Sequence, residues 1–113
     1  MDQEHFTISS QPCRLNPDGI RECLILLTGE VDLAARDELR DTLLAVIDRE
    51  RPDQLVVDLA EVTFLDSEAI GALLDGYLAT LITRTVFQLT NANTMIRRVL
   101  QILDLQELLC PGS

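Results

Sequence analysis

The chain has no lysine and no tryptophan, a single histidine, and aromatic side chains at only 4% of its positions. Its nine basic residues are all arginine and stand against nineteen Asp and Glu, for a formal net charge of -10. Without lysine there is no Schiff base and no phosphate loop of the usual lysine-bearing kind. His5 alone, close to the N-terminus, leaves no material for a histidine-based zinc site or a catalytic triad. Scarce positive charge argues against nucleic acid, where affinity comes from Lys and Arg neutralising phosphates. It argues equally against anionic membrane surfaces. Apolar runs such as Leu24 to Leu27 fall far short of the ~20 residues a membrane span needs. The acidic, polar start Met1-Asp2-Gln3-Glu4-His5 is no secretory signal. Cys13, Cys23 and Cys110 form an odd set without metal-ligand spacing, and Cys23, inside an apolar run, reads as a small core residue. A cytoplasmic chain with no cofactor and no metal is expected.

What remains is an ordinary globular balance, 47% hydrophobic and 25% charged over 113 residues, which suits one domain across 1–113 with a core at about 6–109 and short tails. Thr7 to Ser10 reads as an edge strand. Pro12 and Asn16-Pro17-Asp18-Gly19 mark a long, irregular turn. Cys23 to Thr28 is the returning strand. Gly29-Glu30-Val31-Asp32 breaks its pattern. Ala35, Leu39, Leu43 and Ile47 then recur at helical spacing, widened by Leu44. Asp32, Asp37 and Glu38 crowd the start of that helix, Arg49 and Arg51 its end, and Pro52 stops it.

Leu55-Val56-Val57-Asp58-Leu59 reads as a parallel strand covered on both faces. The connection Ala60 to Leu65 leads to Asp66-Ser67-Glu68, which opens a second helix with Ile70, Leu73, Leu74, Tyr77, Leu78 and Leu81 on its apolar face. Thr83-Arg84-Thr85 leads into the strand Val86 to Thr90. Asn93 caps a last helix carrying Ile96, Val99, Leu100 and Leu103. Leu105, Leu108 and Leu109 close the domain in a short turn or helix, and Pro111-Gly112-Ser113 is a tail. The alternation predicts a single α/β domain: a four-stranded, mixed, mostly parallel sheet with its helices mainly on one face.

The informative stretch is Thr63-Phe64-Leu65-Asp66-Ser67-Glu68-Ala69-Ile70-Gly71, where an apolar segment meets a helix start. Asp66 or Ser67 is an ordinary N-cap there. Ser67 is also a hydroxyl at a helix mouth, open to modification or contact. Gly29-Glu30-Val31-Asp32 carries the same pair of meanings, a glycine turn with an Asp cap or a contact loop. Asp58 either is a buried acid or bonds a loop backbone at its strand's carboxyl end. Glu61, Asp66 and Glu68 form no acid–base pair without a cleft and shifted titration, so no catalytic residue is assigned. Arg97 and Arg98 default to a solvated helix face.

Taken in order, Leu27-Thr28-Gly29-Glu30-Val31-Asp32, Val56-Val57-Asp58-Leu59, Val62-Thr63-Phe64-Leu65-Asp66-Ser67, Val86-Phe87-Gln88-Leu89-Thr90-Asn91 and Ile96-Arg97-Arg98-Val99-Leu100 resemble a STAS domain. More narrowly, they are similar to the stand-alone anti-sigma-factor antagonists of bacteria, from Phe6 to Leu109. The resemblance implies a phosphorylation switch at Ser67. It implies a partner surface that includes Gly29, Glu30, Asp32, Asp66, Ser67 and Glu68. It implies an anti-sigma factor of the GHKL serine-kinase type as the partner and a PP2C-type phosphatase that resets the switch. The family commonly shows Asp-Ser-Ser-Gly where this chain has Asp66-Ser67-Glu68-Ala69, and glycines where it has Thr83-Arg84-Thr85. Those departures leave open a STAS scaffold, or a regulatory subunit of a signalling complex or transporter, without the switch. The excess acid implies a basic docking face on the partner.

Overall fold

The computed structural model describes residues 5–109. Met1 to Glu4 and Cys110 to Ser113, with the expected tails, lie outside the described residues. The order is β1 (Phe6–Ser10), β2 (Arg14–Leu15), β3 (Arg21–Val31), α1 (Leu33–Glu50), β4 (Gln54–Leu65), α2 (Ser67–Thr83), β5 (Val86–Thr90) and α3 (Thr94–Ile102), closed by a 3-10 turn at Gln106–Leu108. The sheet runs β1-β3-β4-β5, with β2 beside the start of β3. β1 and β2 lie antiparallel to β3, whereas β3 pairs with β4, and β4 with β5, in parallel.

The sheet therefore has five strands, not four. The extra one, β2, exists because the turn after it is tight. Asn16 Oδ1 accepts the N–H groups of Asp18 and Ile20 at 2.9 and 3.0 Å, and Gly19 sits at φ 78°. Arg14 and Leu15 are thereby folded back onto Glu22 and Arg21.

Strand alternation sorts the sheet into two faces. Cys23, Ile25 and Leu27 of β3, Leu55, Val57 and Leu59 of β4, and Phe87 and Leu89 of β5 belong to one buried cluster. Ala35, Leu39, Leu43 and Ile47 of α1, Ile70 and Leu73 of α2, and Ile96 and Leu100 of α3 join the same cluster. Val56, although buried, is not part of it, because it points to the opposite face. The helices thus stand on one side of the sheet.

Both central strands run longer than their apolar patterns suggest. Gly29 to Val31 does not break β3, and 60–65 is not a connection but the second half of β4. Register shifts between Leu26 and Thr28 and between Gly29 and Glu30 absorb the irregularity, so pairing continues to Val31 opposite Leu65. Gly29 makes this possible. It sits at φ 81°, and a Cβ there would lie 2.1 Å from the backbone oxygen of His5.

The apolar stripe of α2 is also displaced. Leu78 and Leu81 are more than half exposed, and Ala69, Ala72, Gly76 and Thr80 face inward with Ile70 and Leu73. The cause is close packing: a Cβ on Gly76 would come within 2.8 Å of Leu43 Cδ1. Small side chains are selected where two helices approach, so hydropathy alone misplaces the face. Leu44 and Leu103, assigned to apolar faces, are likewise partly open at 37% and 49% exposure. Around α1, Asp32 is the cap, but the first turn contains no acid, and Asp37 and Glu38 fall one turn later.

Cys23 is a core residue, as expected, but it is also joined to Cys13 in a disulfide with Cα atoms 4.3 Å apart. The hairpin, not sequence spacing, brings the two together.

Gly29→Ala should destabilise the domain by at least about 1 kcal/mol, through positive φ and the clash with His5. Gly71, on α2 with open space around it, should instead tolerate alanine and gain up to about 1 kcal/mol. Urea unfolding of both variants decides between these signs. Reduction of the Cys13–Cys23 bond, which closes a ten-residue separation, should cost about 2–3 kcal/mol. Unfolded without reductant, the chain should show two fewer reactive thiols than after reduction.

Candidate functional site

The long β3–β4 pairing ends at Val31 and Leu65. One residue later each chain segment turns into a helix. Asp66 N–H donates to Val31 O at 3.2 Å, which holds the two turns together. The N-termini of α1 and α2 therefore open side by side at the carboxyl ends of the two central strands. Sites in α/β domains commonly gather there.

Each mouth is capped by an aspartate. Asp32 accepts from Ala34 N–H at 3.0 Å and Asp66 accepts from Ala69 N–H at 2.9 Å. Ser67 follows as the first helical residue of α2 and is exposed. Because Asp66 fills the cap, the Ser67 hydroxyl is not needed for it. The N–H groups of Ser67 and Glu68 start the helix and have no intrahelical acceptor.

Glu68 does more than bias the helix dipole. Its Oε1 accepts from Arg36 Nη1 of α1 at 2.8 Å, which ties the first turns of the two helices. Glu68, then Asp37, holds the Arg36 guanidinium more firmly protonated than usual. Asp32 makes a separate contact, with Oδ2 at 2.9 Å from His5 Nε2. That hydrogen bond, aided by the Ala34 N–H and the charge of the imidazole, keeps the Asp32 carboxyl below its ordinary range despite a desolvation penalty. Arg36 and His5 are the residues the sequence did not bring forward. Neither lies in a motif, and each is found only through a long-range contact.

The remaining candidates have structural partners. Gly29 carries the close approach described above, and the exposed Glu30 donates its N–H to His5 O at 2.9 Å. Asp58 is half-buried, not an isolated buried acid, and its Oδ1 accepts from Ala60 N–H at 2.9 Å and Asn91 Nδ2 at 3.1 Å. Asn93 caps α3 by accepting from Ile96 N–H at 2.9 Å and reaches Val62 O with Nδ2 at 3.3 Å. That contact sets a third helix start at the same end. Arg98 is solvated, but Nη1 of the half-buried Arg97 has no hydrogen-bond partner among the described residues. Leu33, Phe64 and Met95 stay 56%, 47% and 66% exposed at these helix starts. Apolar side chains among capped acids suit a protein contact better than solvent. Among the described residues no cluster of His, Cys, Asp or Glu is placed to hold a metal, and no helix is long and apolar enough to cross a membrane.

A family model described as "Mlab, STAS domain" matches residues 19–110. Among solved structures, the unphosphorylated form of the anti-sigma factor antagonist SpoIIAA aligns with TM-score 0.79 at 18% identity, covering 95% of this chain and 89% of that one. An anti-sigma factor antagonist from Mycobacterium paratuberculosis aligns with TM-score 0.76 at 26% identity, covering 95% of this chain and 86% of that one. The phosphorylated form of the Bacillus cell fate determinant SpoIIAA gives 0.68 at 20% identity, covering 90% and 92%.

Asp66→Ala should cost about 1 kcal/mol through loss of the α2 cap. The Asp32 contribution has a pH signature. Its carboxyl is depressed in the folded state, so its stabilisation is full above the unfolded value of 3.8 and fades as pH falls through the lower folded value. The stability gap between wild type and Asp32→Asn should therefore close in that acid range. An NMR titration of His5→Gln should show the Asp32 carboxyl moving back up.

Proposed function

Because the chain belongs to the STAS domain family, we propose that it is an anti-sigma-factor antagonist switched at Ser67. In this reading the unmodified protein binds an anti-sigma factor of the GHKL serine-kinase type and so releases a sigma factor. The kinase phosphorylates Ser67 and the complex separates, and a PP2C-type phosphatase restores the free hydroxyl. The cycle places the protein in the cytoplasm and gives it a binding role, not a catalytic one.

The observation that carries this reading is the position of Ser67. It is an exposed hydroxyl at a helix mouth whose cap is already supplied by Asp66. A phosphate adds about 1.5–2 negative charges. Free N–H groups and the positive end of the α2 dipole offset that charge within the fold. Asp66 opposes it, and Glu68 opposes it less than its sequence position suggests, because Arg36 is already paired with that carboxylate. The fold therefore tolerates the modification. A partner face fitted to a neutral hydroxyl would instead bury an unpaired charge.

Gly29, Glu30, Asp32, Asp66, Ser67 and Glu68 form the proposed contact surface, with Leu33, Phe64 and Met95 as its apolar anchors. The acids call for a basic face on the partner, so association should slow as salt rises.

The test is incubation with the anti-sigma kinase and ATP, followed by mass spectrometry. Phosphate should map to Ser67 and be absent from Ser67→Ala; equal uptake by both proteins would remove the switch. Ser67→Asp should weaken anti-sigma binding at least about tenfold with an unchanged circular dichroism spectrum. Binding indifferent to that change would favour the scaffold role.

A further inference from the structure

β1 is an outer strand, and among the described residues nothing pairs with its open edge. The phase of its ladder is fixed by two bonds: Glu30 N–H to His5 O and Gln11 N–H to Leu24 O, both 2.9 Å. Hydrogen-bonded positions alternate in an antiparallel pair. Thr7 and Ser9 therefore direct their backbone groups at β3, and Phe6, Ile8 and Ser10 direct theirs outward. Native sheets usually blunt such an edge with lysine, proline or a bulge. Phe6-Thr7-Ile8-Ser9-Ser10 has none of these and no charge, and it runs in unbroken register with β3. In a chain of net charge -10, an uncharged open edge stands apart from the rest of the surface.

Beside this edge lies a cleft of about 640 Å³ between Ser10 to Cys13 on one side and Thr42, Ala45, Val46 and Arg49 of α1 on the other. Arg49 is exposed and forms no ion pair among the described residues. Glu38, also exposed and without an ion pair there, sits about three helical turns earlier on the same face. The face thus reads Glu38, Thr42, Ala45, Arg49. It is self-complementary: a two-fold axis between Thr42 and Ala45 sets each Glu38 opposite the Arg49 of a second copy. The small Thr42 and Ala45 at its centre let two helices approach closely.

We propose that the β1 edge and this face of α1 form one homodimer interface, with the two β1 strands paired antiparallel about Ile8. The outward groups of Ile8 then bond those of its symmetry mate, and Phe6 those of Ser10. The half-buried Ile8 side chains cover each other on the helix side of the joined sheet. The contact is isologous, as a closed dimer requires. The occupant is a second copy because the charges of the helix face and the backbone groups of the strand edge are each self-complementary about a two-fold axis. The Cys13–Cys23 bond anchors the cleft's outer wall to β3, so that wall is ordered before association.

Sedimentation of the full chain from low micromolar to several hundred micromolar should show a monomer–dimer equilibrium. Ser10→Pro removes only an outward donor and leaves the bonds to β3 intact, and it should raise the dimer dissociation constant at least about tenfold. Arg49→Glu should do the same by facing the partner's Glu38, and adding Glu38→Arg should restore association. Should circular dichroism show that Ser10→Pro perturbs the fold, the charge reversals decide alone. A monomer at every concentration would overturn the proposal. So would a dimer unaffected by these variants, which would point to another surface such as exposed Leu78 and Ile82 of α2. Failure of the double reversal to recover association would overturn it as well.

Discussion

The extended pairing of β3 with β4 is the constraint on which the rest of this structure depends. It continues past the apolar centre of both strands, through two register shifts, to Val31 and Leu65. Only because both strands end at the same level do Asp32 and Asp66 cap neighbouring helices, and only then can Arg36 of α1 reach Glu68 of α2. Gly29 is the residue that allows it. The strand must pass the backbone of His5 at a distance no Cβ tolerates, and the resulting kink returns the ladder to register.

The electrostatics follow from that geometry. A chain with nineteen acids and nine bases carries self-repulsion that must be placed somewhere. Here part of it is placed at helix N-termini, where caps and dipoles favour it, and part is met by arginine. Arg36, Arg40 and Arg51 each pair with acids of nearby turns, and Arg21 with Glu50. Such exposed pairs contribute little stability singly. Only the Arg36–Glu68 pair lies beside Ser67. Glu68 is paired with Arg36 of α1, and the exposed Ser67 hydroxyl stands beside that pair.

The strand–helix alternation after the first hairpin, the helix starts and the motif around Ser67 are legible in the sequence, since each rests on local chemistry. Asn93 is read as a cap from residue type and position alone, the α2 cap is narrowed to Asp66 or Ser67, and α1 is read from its four-residue apolar spacing. The failures share a cause too. The second half of β4 looked like a connection because its pairing is sanctioned by β3 and not by its own composition. The inward face of α2 was misplaced because Gly76 and the alanines are chosen by the proximity of Leu43, and no hydropathy pattern records a neighbour's distance.

By itself, then, the sequence determined the α/β alternation, the lack of lysine, and a helix start at Asp66-Ser67 whose cap is one residue or the other; the structure gave the cap to Asp66 and left Ser67 exposed. Propensity, capping and periodicity act within a few residues and need no fold to be read. Tertiary structure alone decided that Cys13 bonds Cys23, that His5 meets Asp32, that Arg36 meets Glu68, and that an uncharged edge lies beside a self-complementary helix face. Each of these joins residues far apart along the chain or on different elements, and only the register of the strands between them sets their distance.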